Sequence, residues 1–222
     1  MQNIKKKWDN NHKNPALRTE YPNELVVSFM NSYFPRELSS RKKISILDIG
    51  CGSGRHVKLF AENRFRVFGI DFSKSAIFNT KNLLRKNNLR AELKCSSMHN
   101  LPFKDNYFDG VLSFGVFYYS DSKGMKKSIK EMYRVLKKGG TGFINIRSTN
   151  DYRYGKGKKI ENNTYILNIK DTNELDLKIH FLNRNQLRSY FKQYKKIEIE
   201  KNEFSYNNLQ KLNSDWFVKA IK

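Results

Sequence analysis

The sequence has few cysteines and no long hydrophobic stretch, and both shortages limit the class of protein it can be. Among its 222 residues there are only two cysteines, Cys51 and Cys95. Two thiols form neither a disulfide framework nor a set of zinc ligands, so we predict free thiols, no metal site and a reducing, cytoplasmic compartment. The longest apolar stretches, such as Phe114–Tyr119, have the length of a strand rather than the ~18–20 residues of a membrane helix. The segment that follows Lys5 also lacks the apolar stretch of a signal peptide.

Acidic residues are scarce as well. The 21 Asp and Glu residues stand against 43 Lys and Arg, which gives a formal net charge of +22. This excess fits a partner rich in phosphate or carboxylate, such as a nucleic acid, an anionic sugar nucleotide or a membrane surface. It equally fits the Lys-, Asn- and Ile-rich composition that AT-rich genomes produce, and the even spread of basic residues along the chain favours this interpretation. The charge alone therefore assigns no binding site.

The chain does contain enough apolar material for a folded core. Hydrophobic residues make up 38% and aromatic residues 14%, which excludes a wholly disordered chain, and the length predicts a single domain over 1–222. In a central core, residues 44–147, short apolar segments alternate with amphipathic ones, as is typical of a doubly wound, mostly parallel sheet covered by helices on both faces. The predicted strands are Ile44–Ile49, Arg66–Ile70, Ala91–Cys95, Phe108–Phe114 and Thr141–Arg147. The predicted helices are His56–Glu62, Ser73–Lys86 with Ser73 as its N-cap, and Ser122–Leu136, which we expect Gly139-Gly140 to end.

The flanking segments have different patterns. Residues 1–43 form a polar lead-in with one predicted helix, and residues 148–182 form an insert with a polar first part and a hairpin. Residues 183–222 complete the chain with a helix and two strands. The elements predicted here are a helix at about Pro22–Tyr33, hairpin strands Thr164–Ile169 and Leu175–Phe181, a helix at Asn185–Phe191, and strands Lys196–Glu200 and Trp216–Ile221.

A glycine-rich turn is the most informative stretch of the sequence. The strand that ends at Ile49 runs into Gly50-Cys51-Gly52-Ser53-Gly54, whose glycines allow a ligand to lie against the backbone at the strand end. A dinucleotide-binding turn needs glycine or alanine where this chain has Arg55. Asp48, two residues before the first glycine, would repel a pyrophosphate but attract a ligand with a cationic amino-acid end and a sulfonium. The sequence therefore favours S-adenosylmethionine over NAD.

An acidic residue follows the second strand at the spacing expected of a nucleoside site. Asp71 lies about 20 residues beyond the turn, where a carboxylate can accept hydrogen bonds from both ribose hydroxyls, and Phe72 can stack on an adenine. The alternative role for Asp71 is to cap the helix that begins after Ser73. The position of Asp71 after the glycine turn favours the ribose role.

Five motifs in this order resemble those of the class I S-adenosylmethionine-dependent methyltransferases, and most closely the small "methyltransferase domain" members that act on small molecules and sugars. The resemblance is strong over residues 44–147 and looser towards both ends of the chain. It implies a Rossmann-like, seven-stranded sheet, with a small hairpin insert after the fifth strand, and S-adenosylmethionine as cofactor. The motifs are ILDIGCGSG at 46–54, GIDFS at 69–73, CSSMHNLPF at 95–103, FDGVLSFGVFYYS at 108–120 and RVLKKGG at 134–140.

The resemblance also implies roles for single residues. Asp48 and the backbone of Gly50, Cys51, Gly52 and Gly54 would hold the methionine part of the cofactor. Asp71 would bind the ribose, with Phe72 beside the adenine. Ser97 and Met98 would lie at the adenine edge, and Ser113 would approach the methionine end. Ser97 departs from the family pattern, because many members have an aspartate there, and a serine hydroxyl accepts a hydrogen bond without the help of a charge.

The acceptor is less well specified. Candidates for a general base or an acceptor contact are His180, Tyr118 and Tyr119, each of which also suits a structural role, while His12, His56 and His99 have no better claim. Ser113-Phe114-Gly115-Val116 differs from the Asn/Asp-Pro-Pro-Tyr/Phe motif of enzymes that methylate amino groups of DNA or glutamine.

We therefore expect a small-molecule or glycan acceptor bound under the N-terminal segment and the 150–180 insert, with sugar O-methylation as the most specific hypothesis. Basic residues of the insert, interleaved with Tyr152 and Tyr154, suit a phosphate or carboxylate on the acceptor, or else a solvated loop; they are Arg153, Lys156, Lys158 and Lys159. The alternatives are an RNA methyltransferase, which the charge suggests, and a non-catalytic, cofactor-binding partner of another subunit.

Overall fold

The structure, a computed structural model, describes residues 2–170 and 172–222. The helices within these residues are α1 (Gln2–Lys13), α2 (Glu24–Tyr33), α3 (Leu38–Arg41), α4 (Arg55–Glu62), α5 (Lys74–Lys86), α6 (Ser122–Val135) and α7 (Arg184–Tyr190), with a 3₁₀ helix at Pro15–Leu17. The strands are β1 (Ser45–Ile49), β2 (Arg66–Asp71), β3 (Glu92–Cys95), β4 (Phe108–Ser113), β5 (Leu136–Arg147), β6 (Gly157–Glu161), β7 (Thr164–Leu167), β8 (Lys178–His180), β9 (Lys196–Tyr206) and β10 (Lys211–Ile221). None of the described helices is long and apolar enough to cross a membrane.

Seven strands form one mostly parallel sheet in the order β3-β2-β1-β4-β5-β10-β9. Strands β1 to β5 pair in parallel, and β10 lies antiparallel between β5 and β9. This confirms the fold class expected from the sequence. The chain runs outward from β1 to β3 and then returns to β4 on the other side of β1. A crevice therefore opens at the carboxyl ends of β1 and β4, where ligands of such sheets bind.

The sheet is covered on both faces because adjacent residues of its central strands point in opposite directions. On β1, Ile46 packs into a cluster with α2, α4 and α5, whereas Leu47 packs into a second cluster with α6, α7 and the insert. All five residues of β1 are buried. Ser73 caps α5 as predicted, since its hydroxyl accepts a hydrogen bond from the Ala76 amide. Burial on both sides fixes β1 and, with it, the start of the glycine turn.

The N-terminal lead-in contains a helix that the sequence analysis missed. Helix α1 has few apolar residues, and its contacts with α5 explain why it forms there. Asp9 accepts hydrogen bonds from the Ser73 hydroxyl (2.8 Å) and the Ser75 amide (3.0 Å). The Asn79 amide group donates to the His12 carbonyl oxygen at 2.6 Å. Because polar tertiary contacts leave no hydrophobic periodicity, the pattern gave no signal for this helix.

The predicted glycine end of α6 was wrong. The helix ends at Val135, and Leu136 is already extended and begins β5. Gly139 lies inside β5 with φ +78°, where the pairing with β4 shifts register between Phe108 and Gly110. Gly139 therefore lies at an irregularity in strand β5 and not at the end of helix α6. The local sequence fits either position.

The insert contains a strand that was not predicted, and the C-terminal strands are longer than predicted. The insert is a three-stranded antiparallel sheet, β6-β7-β8, whose first strand comes from the polar part, while β7 and β8 are shorter than the predicted hairpin strands. The C-terminal strands β9 and β10 pair with each other as far as Tyr206 and Lys211, beyond the edge of the main sheet. The lengths of β9 and β10 are therefore set by their pairing with each other and not by stretches of apolar residues.

We predict that Gly50→Ala will destabilise the fold much more than Gly139→Ala. Both glycines have φ above +70°, so both alanines cost about 1–2 kcal/mol of backbone strain. A Cβ on Gly50 would also overlap Val116, 2.7 Å from its Cγ1, which adds about 1–3 kcal/mol for overpacking. A Cβ on Gly139 would meet no atom of the described residues within 4 Å. Urea unfolding of both variants measures the difference, and equal losses would contradict the packing argument.

Candidate active site

Three polar residues meet at the carboxyl ends of neighbouring strands. Asp48 lies on β1, Asp71 ends β2 and Ser113 ends β4, and all three side chains are buried. The sequence analysis placed all three at one ligand site. The structure brings them to the same edge of the sheet, beside the glycine turn that follows β1.

Asp71 holds the turn in place. Its Oδ2 accepts a hydrogen bond from the Gly52 amide at 3.0 Å, and its Oδ1 accepts one from the Ser73 amide at 2.9 Å. The carboxylate therefore both fixes the turn and steadies the approach to α5. Each carboxylate oxygen has a second lone pair, so Asp71 can still accept hydrogen bonds from a diol.

The backbone conformation of the turn and the atoms packed against it both require glycine. Gly52 and Gly54 have φ of +55° and +93°. A Cβ on Gly54 would lie 2.7 Å from Cγ2 of Thr80, whose hydroxyl donates to the Gly52 carbonyl oxygen at 2.9 Å. The amides of Gly50 and Cys51 both donate to the Ile70 carbonyl oxygen. The turn is thus a fixed backbone cradle at the end of β1.

Two buried polar atoms of the crevice lack partners. Asp48 Oδ2 and Ser113 Oγ have no hydrogen-bond partner among the described residues, although buried polar groups are nearly always paired. Burial raises the pKa of Asp48 to about 7; Arg55 opposes the shift and Asp71 adds to it. A bound cation would reverse this effect, because it favours the ionised carboxylate. The crevice therefore fits a ligand with a cationic amino-acid end beside Asp48 and Ser113.

The remaining cofactor candidates lie around this edge of the sheet. The Cys51 side chain is buried in the apolar cluster, so only the backbone of Cys51 contributes to the turn. Phe72 follows Asp71 directly and is half-buried. Beyond β3, Ser97 is exposed and accepts a hydrogen bond from the His99 amide at 3.2 Å, while Met98 packs against the core. Their contacts with an adenine stay predictions.

Helix α1, which the sequence analysis did not predict as a helix, lies over the turn. A Cβ on Gly52 would lie 3.3 Å from Cε1 of His12. One turn earlier, Trp8 packs edge-on against Tyr119, with ring centroids 4.8 Å apart. Trp8 and His12 have the i, i+4 spacing of one helix face. That spacing is the only signal in the sequence that could have drawn attention to this segment.

A cavity of about 300 Å³ lies between α1 and the insert. His12 belongs to its wall and also adjoins the glycine turn, so the cavity is next to the predicted cofactor site. Tyr119 contributes to the opposite wall. The lining residues are Trp8, Asn11, His12, Leu17, Tyr119, Arg153, Thr172, Asn173 and Glu174.

The two tyrosines that the sequence proposed for acceptor contact have different environments. Tyr119 lines the cavity and donates a hydrogen bond to Glu174 Oε1 at 2.7 Å. Tyr118 is buried beneath it, with the Arg147 guanidinium 5.1 Å from its ring centre. Burial raises the pKa of Tyr118 to about 12 and that of Tyr119 well above its usual value. Both phenols are neutral at neutral pH and suit hydrogen-bond donation rather than proton abstraction.

His180 does not belong to the cavity wall described above. It is 2% exposed, and its two ring nitrogens lie 2.7 Å from the Thr164 hydroxyl and 2.9 Å from the Tyr190 hydroxyl. Burial lowers the pKa of His180 to about 4. This arrangement favours the structural role that the sequence analysis kept as its alternative.

A buried cluster of charges adjoins the cavity, and two of its members, Arg153 and Glu174, belong to the lining. Two guanidinium groups, of Arg147 and Arg153, are surrounded by three carboxylates, of Asp151, Glu174 and Asp215. Carboxylates outnumber guanidinium groups, so the cluster offers no excess positive charge to an anion. Arg153 also donates to Asn213 at 2.9 Å.

The insert therefore offers little support for the expected binding of an anion. Arg153 is held by carboxylates, as described above. Lys158 and Lys159 lie on the exposed strand β6, outside the cavity wall. The alternative of a solvated basic face fits these two lysines better.

Comparisons with known proteins agree with this geometry. Residues 46–140 match the family described as "Methyltransferase domain". The chain is 29% identical over 178 residues to malonyl-[acyl-carrier protein] O-methyltransferase of Buchnera aphidicola, which covers 80% of this chain and 66% of that protein. It is 32% identical over 102 residues to the mouse probable tRNA methyltransferase 9B, which covers 46% of this chain but only about a fifth, 21%, of that longer protein. Among solved structures, a Methanosarcina mazei SAM-dependent methyltransferase superposes with a TM-score of 0.72 at 22% identity, over 90% of this chain and 98% of that one.

We predict that Asp71→Asn will weaken binding of S-adenosylhomocysteine at least tenfold. The amide cannot accept hydrogen bonds with both of its terminal atoms, so either the turn or a bound diol loses a partner. Titration calorimetry measures the affinity. Asp109→Asn is the matched control, since Asp109 also accepts from a backbone amide (Ser45, 2.9 Å) but at the opposite end of the sheet. Equal weakening in both variants, or binding of NAD to the wild type, would contradict the assignment.

We predict that the stability of the wild type will fall relative to Asp48→Asn as the pH rises from about 4 to about 7. The pKa of Asp48 is raised in the folded protein, so the unfolded chain holds fewer protons in this range and ionisation opposes folding. The largest slope is about 1.4 kcal/mol per pH unit. Urea unfolding at several pH values measures the difference between the two proteins. Parallel pH profiles would show that Asp48 is not desolvated.

Proposed function

We propose that the chain, whose residues 46–140 match the methyltransferase-domain family, is a class I S-adenosylmethionine-dependent methyltransferase that transfers a methyl group to a hydroxyl of a small acceptor bound beneath α1. The observation that carries this proposal is the cavity that adjoins the glycine turn and is walled by α1 and the insert. The family match covers the cofactor-binding part of the chain, so the acceptor has to be argued from the cavity.

The crevice fits the family's cofactor, S-adenosylmethionine. Asp48 and Ser113 present unpartnered buried oxygens that suit its amino-acid end. The backbone cradle from Gly50 to Gly54 allows close approach, and Asp71 can accept from its ribose hydroxyls. When bound, the cofactor supplies a methyl group that is already activated by the positive sulfur. The protein then has to hold the acceptor in line and exclude water, and orientation alone can supply about 7–11 kcal/mol.

The size and walls of the cavity favour a small acceptor. Its volume of about 300 Å³ lies at the lower end of the range for small-molecule sites. Trp8 and Tyr119 give it two aromatic walls, which suit the face of a sugar or a phenol. Polar atoms beside these rings can orient hydroxyl groups; they belong to Asn11, His12 and Glu174.

The chemistry of the cavity favours oxygen as the methylated atom. An alcohol gains from a nearby proton acceptor, and the lining offers the imidazole of His12, whereas the Glu174 carboxylate is already paired with Arg153. The Buchnera relative is named as an O-methyltransferase, which supports the same reaction class. A neutral hydroxylated acceptor also agrees with the charge cluster, since its guanidinium groups are already paired.

RNA methylation is the second candidate, and two observations favour it. One relative is named as a probable tRNA methyltransferase, although the similarity covers only 102 residues. A surface depression beside α1 is lined by Lys5, Lys6, Asp9 and Lys74, where a phosphate backbone would find three positive charges. The small size of the cavity opposes this interpretation, because a base would have to leave its stack and enter in a flipped-out position.

We predict that tritiated S-adenosylmethionine will label small hydroxylated acceptors, tested as a panel of sugars, sugar nucleotides and phenols, and will leave tRNA and ribosomal RNA unlabelled. Trp8→Ala should lower labelling at least tenfold, because it removes an aromatic wall, while the affinity for S-adenosylhomocysteine changes much less. Scintillation counting of separated products and calorimetry measure the two quantities. Label in RNA would favour the second candidate. No label in either pool, together with intact cofactor binding, would favour the non-catalytic partner subunit.

A further inference from the structure

One histidine differs from the other three in having both ring nitrogens unengaged. His56 accepts a hydrogen bond from the Asn23 amide, His99 pairs with the Ser128 hydroxyl, and His180 pairs with two hydroxyls. The ring nitrogens of His12 have no hydrogen-bond partner among the described residues, where only its carbonyl oxygen is engaged. An imidazole that the protein does not use structurally is available to a ligand.

The position of His12 links the two parts of the site. Its ring lies against Gly52 of the turn and forms part of the cavity wall. A group at this point touches both the expected place of the cofactor and that of the acceptor. A general base for methyl transfer has to reach the acceptor oxygen while that oxygen faces the methyl group.

The surrounding contacts hold His12 in this position. Asn79 fixes its backbone through the carbonyl oxygen, and Asp9, one turn earlier, fastens α1 to the start of α5. The Trp8 ring stacks on the imidazole, with centroids 6.0 Å apart and planes inclined by 30°. Helix α1 and its contacts therefore hold the imidazole in a fixed orientation.

The charges around His12 suit the acceptance of a proton. Burial lowers the pKa of His12, although Asp71 and Asp9 act in the opposite direction and Arg18 adds to the lowering. The ring is therefore neutral at neutral pH, and the two carboxylates stabilise the imidazolium once a proton arrives. Glu174 and Arg153 face it from the insert across the cavity, and they form an ion pair with each other.

We propose that His12 is the general base that takes the proton of the acceptor hydroxyl during methyl transfer. The acceptor oxygen forms a bond to the methyl carbon, and the methyl–sulfur bond breaks with its electron pair kept by sulfur. The hydroxyl proton passes to a ring nitrogen of His12, and water removes it after the product leaves. This proposal rests on the proposed function, because it needs a hydroxyl acceptor in the cavity.

The test compares His12→Gln with Asn10→Gln, an exposed position on the same helix. His12→Gln should lower kcat about 10²–10⁴-fold and change the dissociation constant of S-adenosylhomocysteine less than threefold by calorimetry. Asn10→Gln should leave both unchanged. The fall of wild-type kcat at acid pH should disappear in His12→Gln, and free imidazole should restore part of the activity of His12→Ala.

A second readout does not depend on turnover. In the complex with S-adenosylhomocysteine, the NMR signals of the His12 ring should report a neutral imidazole at pH 7, identified by their loss in His12→Gln. A cationic ring at pH 7 would overturn the proposal, and so would an unchanged kcat or a loss confined to S-adenosylhomocysteine affinity. If the wild type labels no small hydroxylated acceptor, the proposed function itself fails. If the wild type labels such an acceptor and His12→Gln leaves the rate unchanged, only the role of His12 fails.

Discussion

The candidate site depends on keeping two carboxylates out of water at the carboxyl ends of adjacent strands. Asp71 meets this cost by accepting two backbone amides, and in doing so it gives the glycine turn its shape. Asp48 has an oxygen without a partner, and burial raises its pKa to about 7. A buried carboxyl group with an unpartnered oxygen is electrostatically costly, and a positively charged ligand would lower this cost. The same feature separates this site from one for dinucleotides, since a diphosphate would make the imbalance worse.

The parts of the molecule that could be predicted from sequence are those in which burial and local chain geometry agree. The central strands are buried on both faces, and Gly50, Gly52 and Gly54 occupy conformations that side chains resist, so both features leave clear patterns. Ser73 is a similar case, because a cap satisfies amides of its own helix. These local rules were enough for the fold class and for the placing of Asp48 and Asp71 at one edge, whereas Ser113 was assigned there by the resemblance to the methyltransferase family.

The parts that could not be predicted are formed by polar contacts over long sequence distances. Helix α1 is held by hydrogen bonds between residues 64 to 67 positions apart in the sequence. Asp9 accepts from Ser73 and Ser75, and Asn79 donates to the His12 carbonyl oxygen. The environment of His180 depends on Thr164 and Tyr190 in the same way, and that of Arg153 on Glu174. No periodicity records such pairings, so sequence reasoning favoured His180 and Arg153 and gave His12 no better claim.

The fastening of α1 has a consequence for the timing of ligand exchange. Three hydrogen bonds join α1 to α5 across the crevice, two to Asp9 and one to the His12 carbonyl oxygen. At about 1 kcal/mol each they total roughly 3 kcal/mol, so the detached helix is populated on the order of one per cent of the time. A ligand held between α1 and the glycine turn would exchange most readily in that minor state. Its release would then depend on the opening of a helix that takes no part in the central sheet.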